Sequence, residues 1–321
     1  MLRAEDLKGV VAMMPAFTTA NGDSPQATDT INVPELEKSV DRIIRDGIDA
    51  IATTGSFGEC HSLLWEEFQT LVTATVGAVR KRVPLLIGCT TLNTRETMRQ
   101  IKFAQEAGAD GVLCGVPMYF PSTVENAIQF YWDLADAFPR MGIALYHNPS
   151  LHRVTLPVSA YKELIKRPNI VAAKDAHRHG IQCVELMKIV KGKISIFCNQ
   201  TQCYPNMLSG ADGCWSISVW MGPWPVLRLR DACFAGDWET AKTICAEMSA
   251  SYKAPGREGD RFWRENSHKL AVNEAGYCYA GPLRPPFRRV PEEIIEHAKQ
   301  EAAGWKKLCE KYGPDSLKKA S

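Results

Sequence analysis

The sequence has no CxxC pair, no glycine-rich phosphate turn after its first apolar run, no leader-like opening and almost no net charge. Its 11 cysteines are scattered and odd in number, which argues against a disulfide framework and a structural zinc site and leaves reduced core thiols. Lys+Arg 38 against Asp+Glu 36 leaves a formal charge of +2, and no basic stripe is interleaved with aromatics. That excludes the electrostatic footprint of a nucleic-acid binder and favours a small-molecule partner. At the start of the chain Asp6 and Lys8 precede an apolar run too brief and wrongly flanked for a signal peptide or a membrane span. The expectation is a cytoplasmic protein with no membrane partner.

What is present is material for a large core. With 321 residues, 45% hydrophobic and 23% charged, the chain can fold without metals or staples. Its length suits two ordinary domains or one α/β barrel of about 250 residues with an addition, so the order of elements must decide. Short apolar runs alternate with helix-period segments up to about Ala235. The runs at 10–14, 50–54, 85–88, 111–114, 142–146, 170–174, 194–198 and 213–216 have the composition of buried parallel strands.

A local repeat fixes the phase. Gly47-Ile48-Asp49-Ala50, Gly108-Ala109-Asp110-Gly111 and Gly210-Ala211-Asp212-Gly213 each sit where a helix should stop and a strand begin, and glycine suits that helix end. The first helix opens on a capping-box-like pair, Asn32 and Glu35, with Pro34 early and Val33, Leu36, Val40, Ile43 and Ile44 on one stripe. Beyond Ala235 the strand signals stop, and helical stretches are expected near 238–252, 261–275 and 291–311.

Eight strands each followed by a helix could close as a barrel or open as a doubly wound sheet. The open form usually carries a glycine-rich phosphate turn after strand one, where this chain has Pro15-Ala16-Phe17-Thr18. The prediction is therefore an α/β protein, a (β/α)8 TIM barrel over 1–235 with a helical C-terminal extension over 236–321. In such a barrel the active site lies at the C-terminal ends of the strands.

At those ends two residues stand out. Strand alternation puts Lys174 on the side of Ile170 and Ala172, and Tyr146 on the side of Gly142 and Ala144, with bulky Ile143 and Leu145 opposite. If the bulky residues face the helices, Tyr146 and Lys174 point inward from adjacent strands. Desolvation in a barrel mouth favours the neutral amine of a lysine, the form that attacks a ketone. The alternative is a Lys174 that snorkels to solvent or pairs with Asp175.

Taken together, Gly55-Ser56-Phe57-Gly58-Glu59 after strand two, Tyr146-His147-Asn148-Pro149, Lys174 after strand six and the segment 213–223 after strand eight resemble the dihydrodipicolinate synthase and N-acetylneuraminate lyase superfamily of class I pyruvate aldolases. The resemblance spans nearly the whole chain. It implies that Lys174 forms a Schiff base with a 2-keto acid, so that no separate cofactor is needed. It further implies that Tyr146 shuttles the proton at the substrate oxygen, that Ser56 relays it and helps bind the keto-acid carboxylate, and that the assembly is a tetramer built from dimers. The backbone of the turn from Gly55 to Gly58 could hold the same carboxylate as an anion nest, or be no more than a tight turn. Glu59 is expected to be structural, bonded to nearby backbone, and Arg284 in Gly281-Pro282-Leu283-Arg284-Pro285-Pro286 matches a family feature whose role the sequence does not fix.

The departures from the family pattern are informative. Phe57 replaces the second threonine of the turn, Asn199-Gln200-Thr201 stands where Gly-x-Asp is usual, and an asparagine-containing turn becomes Val219-Trp220-Met221-Gly222-Pro223-Trp224. Polar groups are lost and aromatic area is gained, which suits a flat aromatic substrate over a sugar acid. Tyr119 and Phe120 extend the trend, and Asn148, Trp215 and Trp220 join the expected binding residues, although the tryptophans could equally be packing.

The pattern resembles the hydratase-aldolase branch that acts on benzylidenepyruvates. His177-Arg178-His179 follows Lys174 in the loop expected to overhang the site, and positive charge there favours a 2'-carboxylated ring. A solvated loop is the plain alternative, and no third ligand is placed by spacing for a metal. The competing readings are a sugar-acid lyase or dihydrodipicolinate synthase-like condensing enzyme and, in another class, a catalytically silent keto-acid-binding barrel.

Overall fold

The computed structural model describes residues 1–178, 180–251 and 261–314, with the side chains of 261–266 left aside. Among the described residues eight parallel strands close into a barrel in chain order, with β8 pairing back to β1. The strands are β1 Gly9–Met13, β2 Ala50–Ala52, β3 Leu85–Gly88, β4 Gly111–Cys114, β5 Gly142–His147, β6 Ile170–Asp175, β7 Ser195–Asn199 and β8 Gly213–Ser216. The barrel fold expected from the apolar runs is the fold observed, with strand ends shifted by at most two residues.

Helices α1 Val33–Arg45, α2 Trp65–Val79, α3 Thr94–Ala107 and α4 Val124–Ala137 follow the first four strands. Short helices α5 Pro149–His152 and α6 Tyr161–Leu164 follow β5, and α7 Ile181–Val190, α8 Cys203–Leu208 and α9 Trp224–Ala235 follow the last three. Three more follow among the described residues, α10 Trp238–Ser251, α11 Arg261–Ala275 and α12 Glu292–Tyr312. They share one apolar core with the barrel, through residues such as Ile244, Met248, Val272 and Trp305.

The Gly-x-Asp repeat has a physical explanation that runs across strands. Each glycine is left-handed, Gly47 at φ 104, Gly108 at φ 98 and Gly210 at φ 103, a conformation that a side chain would strain. Each aspartate then reaches sideways to the neighbouring strand. Asp49 Oδ2 accepts the N–H of Val10 at 2.7 Å, Asp110 Oδ2 that of Leu85 at 3.0 Å and Asp212 Oδ2 that of Ile196 at 3.0 Å. These carboxylates tie β1 to β2, β3 to β4 and β7 to β8 at the end of the barrel opposite the site, satisfying amides that the sheet ladder leaves open.

Helix α1 begins where expected, with Asn32 Oδ1 accepting the Glu35 amide at 3.2 Å. The reciprocal half of the capping box is absent: Glu35 Oε1 accepts the backbone N–H of Tyr279 at 3.1 Å and so ties the helix to the C-terminal segment. Leu36, Val40 and Ile43 are fully buried, each contributing about 2 kcal/mol by removal from water, while Val33 and Ile44 flank them half-buried. All 11 cysteines are free, and no helix among the described residues is long and apolar enough to cross a membrane.

Candidate active site

The site is built on the register of β5 and β6. Ile143 pairs with Ile170 and Ala144 with Ala172, so Val171 is an extra residue, a bulge of the kind that re-aims side chains near functional sites. Beyond it Tyr146 stands opposite Lys174 and His147 opposite Asp175. The Lys174 Nζ lies 4.9 Å from the centre of the Tyr146 ring and 5.8 Å from that of Trp215 on β8. Among the described residues the ammonium makes no ion pair, so the expected alternative of pairing with Asp175 is not adopted.

Asp175 is occupied elsewhere. Its Oδ2 receives Tyr161 Oη at 2.9 Å, Arg178 Nε at 2.8 Å and His147 Nδ1 at 3.2 Å. Burial would raise this carboxyl, but His147, His177 and Arg178 outweigh burial and hold it well below the usual carboxylate range. The tautomer of His147 follows from its partners: Nε2 accepts the Leu156 amide at 3.0 Å, so Nδ1 carries the proton toward Asp175. Burial lowers the pKa of this ring, against the pull of Asp175. His177 Nδ1 approaches Asp175 Oδ1 to 2.8 Å, off the line of an aligned hydrogen bond. His147, Asp175 and His177 are close enough to hold a metal ion. Both nitrogens of His147 and one oxygen of Asp175 are already committed, however, and the Arg178 guanidinium adjoins them, so the donor set does not fit a cation.

Across the mouth, the turn after β2 carries Ser56, whose Oγ lies 2.9 Å from Tyr146 Oη. The turn is held at both ends by non-glycine residues in the left-handed region, Thr54 at φ 45 and Glu59 at φ 51. Thr54 Oγ1 donates to the Gly88 carbonyl at 2.7 Å. Glu59 is structural as expected, but its partners are distant ones: Oε1 accepts the Arg284 amide at 3.0 Å, and Oε2 receives Lys269 Nζ at 2.7 Å and Arg284 Nη1 at 2.6 Å. Burial pushes the Glu59 carboxyl up, and the two cations overcome it and hold it low. Burial brings the Lys269 ammonium down to about 8 against the pull of Glu59. Arg284 thereby acquires a role, anchoring the C-terminal segment to the turn. Gly58 is required sterically, since a Cβ there would come within 2.6 Å of the Thr54 backbone nitrogen.

A cavity of about 470 Å³ opens over these groups. Of the residues expected from sequence, Ser56, Phe57, Tyr146, Asn148, Lys174, His177 and Trp215 line it. Trp215 is buried with its indole N–H unpartnered among the described residues, a donor available to a ligand. Others lie elsewhere. Trp220 is fully buried, donating to the Met13 carbonyl at 2.8 Å and packing edge-on to Phe17, so it shapes the core rather than the cavity wall. Tyr119 is 68% exposed beside Phe120, outside the lining. Gly55 and Gly58 form the turn beneath Ser56 and Phe57 without reaching the cavity. Arg178 is 4% exposed and turned under the loop onto Asp175 and the Leu156 carbonyl, which removes it from the overhanging position the sequence suggested. His179 lies outside the described residues.

Sequence reasoning did not single out Gln200 and Ser216, which are hydrogen-bonded to each other at the cavity edge, or His268 from α11. The departure of Asn199-Gln200-Thr201 from the family pattern is the sequence signal for Gln200. A second hollow of about 300 Å³, between Trp65, Phe68, Leu92 and Met118, holds neither Lys174 nor Tyr146.

Comparison with known proteins finds relatives over nearly the whole chain. The pattern of the Dihydrodipicolinate synthetase family matches residues 14–303. A trans-O-hydroxybenzylidenepyruvate hydratase-aldolase of Pseudomonas aeruginosa is 34% identical, covering 97% of this chain and 96% of its own. A trans-2'-carboxybenzalpyruvate hydratase-aldolase of Nocardioides sp. (strain KP7) is 27% identical, with 96% and 95% covered. The solved structure of PhdJ bound to substrate intermediate superposes with a TM-score of 0.92 at 31% identity, over 97% of this chain and 99% of that one.

Proposed function

This chain belongs to the dihydrodipicolinate synthetase family and is an enzyme of the pyruvate-aldolase type, a lyase, and within that family we propose that it is a Schiff-base hydratase-aldolase. Its substrate would be an ortho-substituted trans-benzylidenepyruvate, cleaved to an aromatic aldehyde and pyruvate in aromatic catabolism. The observation that carries the reading is Lys174 at the end of β6, 4.9 Å from the ring of Tyr146, whose hydroxyl is in turn bonded to Ser56.

In this reading the Lys174 amine attacks the ketone carbon and water leaves, with Tyr146 and Ser56 moving the proton of the carbinolamine oxygen. The iminium is conjugated with the alkene, so water adds at the carbon bearing the ring. The carbon-carbon bond beside it then breaks, with its electrons drawn into the iminium to give the pyruvate enamine. Protonation and hydrolysis of that enamine return free lysine. Trp215 supplies a flat face and an N–H donor, and Phe57 adds apolar wall. The covalent bond is to the protein itself, and no separate cofactor enters the scheme.

The ring substituent is part of the proposal. A 2'-carboxylate is the expectation from His177, Arg178 and His179; of these the Arg178 guanidinium is committed to Asp175, and His179 lies outside the described residues. Among the described residues the cavity wall holds no arginine, so a ring carboxylate would lose its water with no fork to receive it. This supports the ortho-hydroxylated ring, in line with the higher identity to the hydroxybenzylidenepyruvate relatives. A homotetramer in the cytoplasm, with 1–235 as the catalytic barrel and 236–321 as its extension, completes the reading and is checked by light scattering. The test of function is loss of enone absorbance with both substrates. Turnover with higher kcat/KM for the hydroxylated one is expected, and absence of turnover with either would overturn the assignment.

A further inference from the structure

The chemistry proposed above needs proton transfer at the carbinolamine oxygen, where Tyr146 and Ser56 serve, at the oxygen on the ring-bearing carbon, and at the carbon between. Besides His177 with Asp175, the cavity wall presents another ionisable pair. His268, from α11, lines the same cavity as Lys174 and Trp215, and its Nδ1 lies 2.6 Å from Glu301 Oε1 on α12. The histidine side chain is 12% exposed and the glutamate 4%, so the contact is sheltered from bulk water. A hydrogen bond from Nδ1 to the Glu301 carboxylate would orient the ring and make Nε2 the nitrogen that exchanges a proton with the substrate. Helix α11 is fixed at the next residue, where Lys269 is locked into the buried cluster with Glu59 and the Pro282 carbonyl. The ring is thus held by its own helix and by a partner on another.

We propose that His268, oriented by Glu301, is the acid-base group at the ring-bearing carbon, taking a proton from the attacking water and then from the hydroxyl so formed. This rests on the hydratase-aldolase reading. In hydration the water oxygen bonds to the ring-bearing carbon, His268 takes its proton, and the alkene electrons move toward the iminium; the neighbouring carbon then gains one proton. In cleavage His268 takes the hydroxyl proton, the carbon-carbon bond breaks to release the aldehyde, and the enamine carbon again gains one. Each proton leaving oxygen is matched by one arriving at carbon, so the pair ends each half as it began. His268 would be a catalytic residue and Glu301 a positioning one, and the C-terminal helices would belong to the chemistry as well as to the core.

The experiment compares the full-length parent with His268→Ala, His268→Gln and Glu301→Gln in two assays, borohydride trapping with pyruvate and turnover of the ortho-hydroxylated enone. Both His268 variants should trap pyruvate as the parent does, which also reports intact folding, while kcat falls about 100-fold or more. Added imidazole should restore part of the turnover of His268→Ala. Glu301→Gln should lose kcat with little change in KM. Parent-like kcat in His268→Gln, parallel loss of trapping and turnover, or a His268→Ala enzyme that imidazole does not revive would each overturn the proposal. A parent that traps pyruvate yet consumes no enone would instead overturn the hydratase-aldolase reading, and this inference with it.

Discussion

Ser56 Oγ and Tyr146 Oη stand 2.9 Å apart, joining the turn after β2 to the end of β5 across the barrel mouth. A hydroxyl pair at that distance passes a proton without moving either backbone. Tyr146→Phe keeps the ring against His152, 4.9 Å between centres, and removes only the relay. Its kcat for enone turnover should fall about 100-fold or more, the range general acid-base catalysis supplies. A near-parent kcat would transfer the role to another group.

Glu59 is the anion between two buried cations, Lys269 and Arg284. Glu59→Gln leaves both positive charges uncompensated in the interior and should lower unfolding free energy by about 3 to 5 kcal/mol in urea titration. The turn carrying Ser56 loses its anchor at the same time. A change below about 1 kcal/mol would mean that the cluster is solvated.

Two buried histidines make the fold acid-sensitive. Burial lowers His152 to about 4 from an ordinary 6.5, and His147 shifts in the same direction. The unfolded chain binds these protons first, so the stability that comes from keeping the rings neutral is complete above pH 6.5 and is lost as pH falls toward 4. His152 alone accounts for about 3 kcal/mol at 1.36 kcal/mol per pH unit. Urea midpoints measured across that window should fall steeply in the parent and less steeply in His152→Leu. Equal slopes would contradict the assignment.

Arg178→Ala separates support from recognition. Because the guanidinium holds Asp175 and the Leu156 carbonyl, its loss should destabilise the protein by about 3 kcal/mol or more through an uncompensated buried carboxylate. The ratio of kcat/KM between ortho-hydroxylated and ortho-carboxylated substrates should stay as in the parent. A tenfold shift in that ratio would return Arg178 to the substrate.

The barrel was legible because buried parallel strands are short apolar runs, and because Gly47, Gly108 and Gly210 mark helix ends that admit no side chain without strain. Lys174 and Tyr146 were legible because alternation and strand adjacency together fix their side. Arg178 was misread for a physical reason: closeness to Lys174 in sequence cannot tell whether a loop carries a guanidinium outward or folds it under, and a deciding partner, the Leu156 carbonyl, lies on the preceding connection. Trp220 looked like Trp215 for a similar reason, since only the backbone carbonyl of Met13 distinguishes a core indole from a cavity one. His268 gave no signal because it is far along the chain on a helix whose facing is set by Lys269 and Glu59, a long-range contact.

Covalent chemistry at Lys174 is read out by reduction with borohydride in the presence of pyruvate. Intact-protein mass should rise by one reduced pyruvate adduct per chain, peptide mapping should put the adduct on Lys174, and Lys174→Ala should fold normally yet gain no mass and turn over no enone. A parent that gains no mass, or a Lys174→Ala protein that still does, would contradict it.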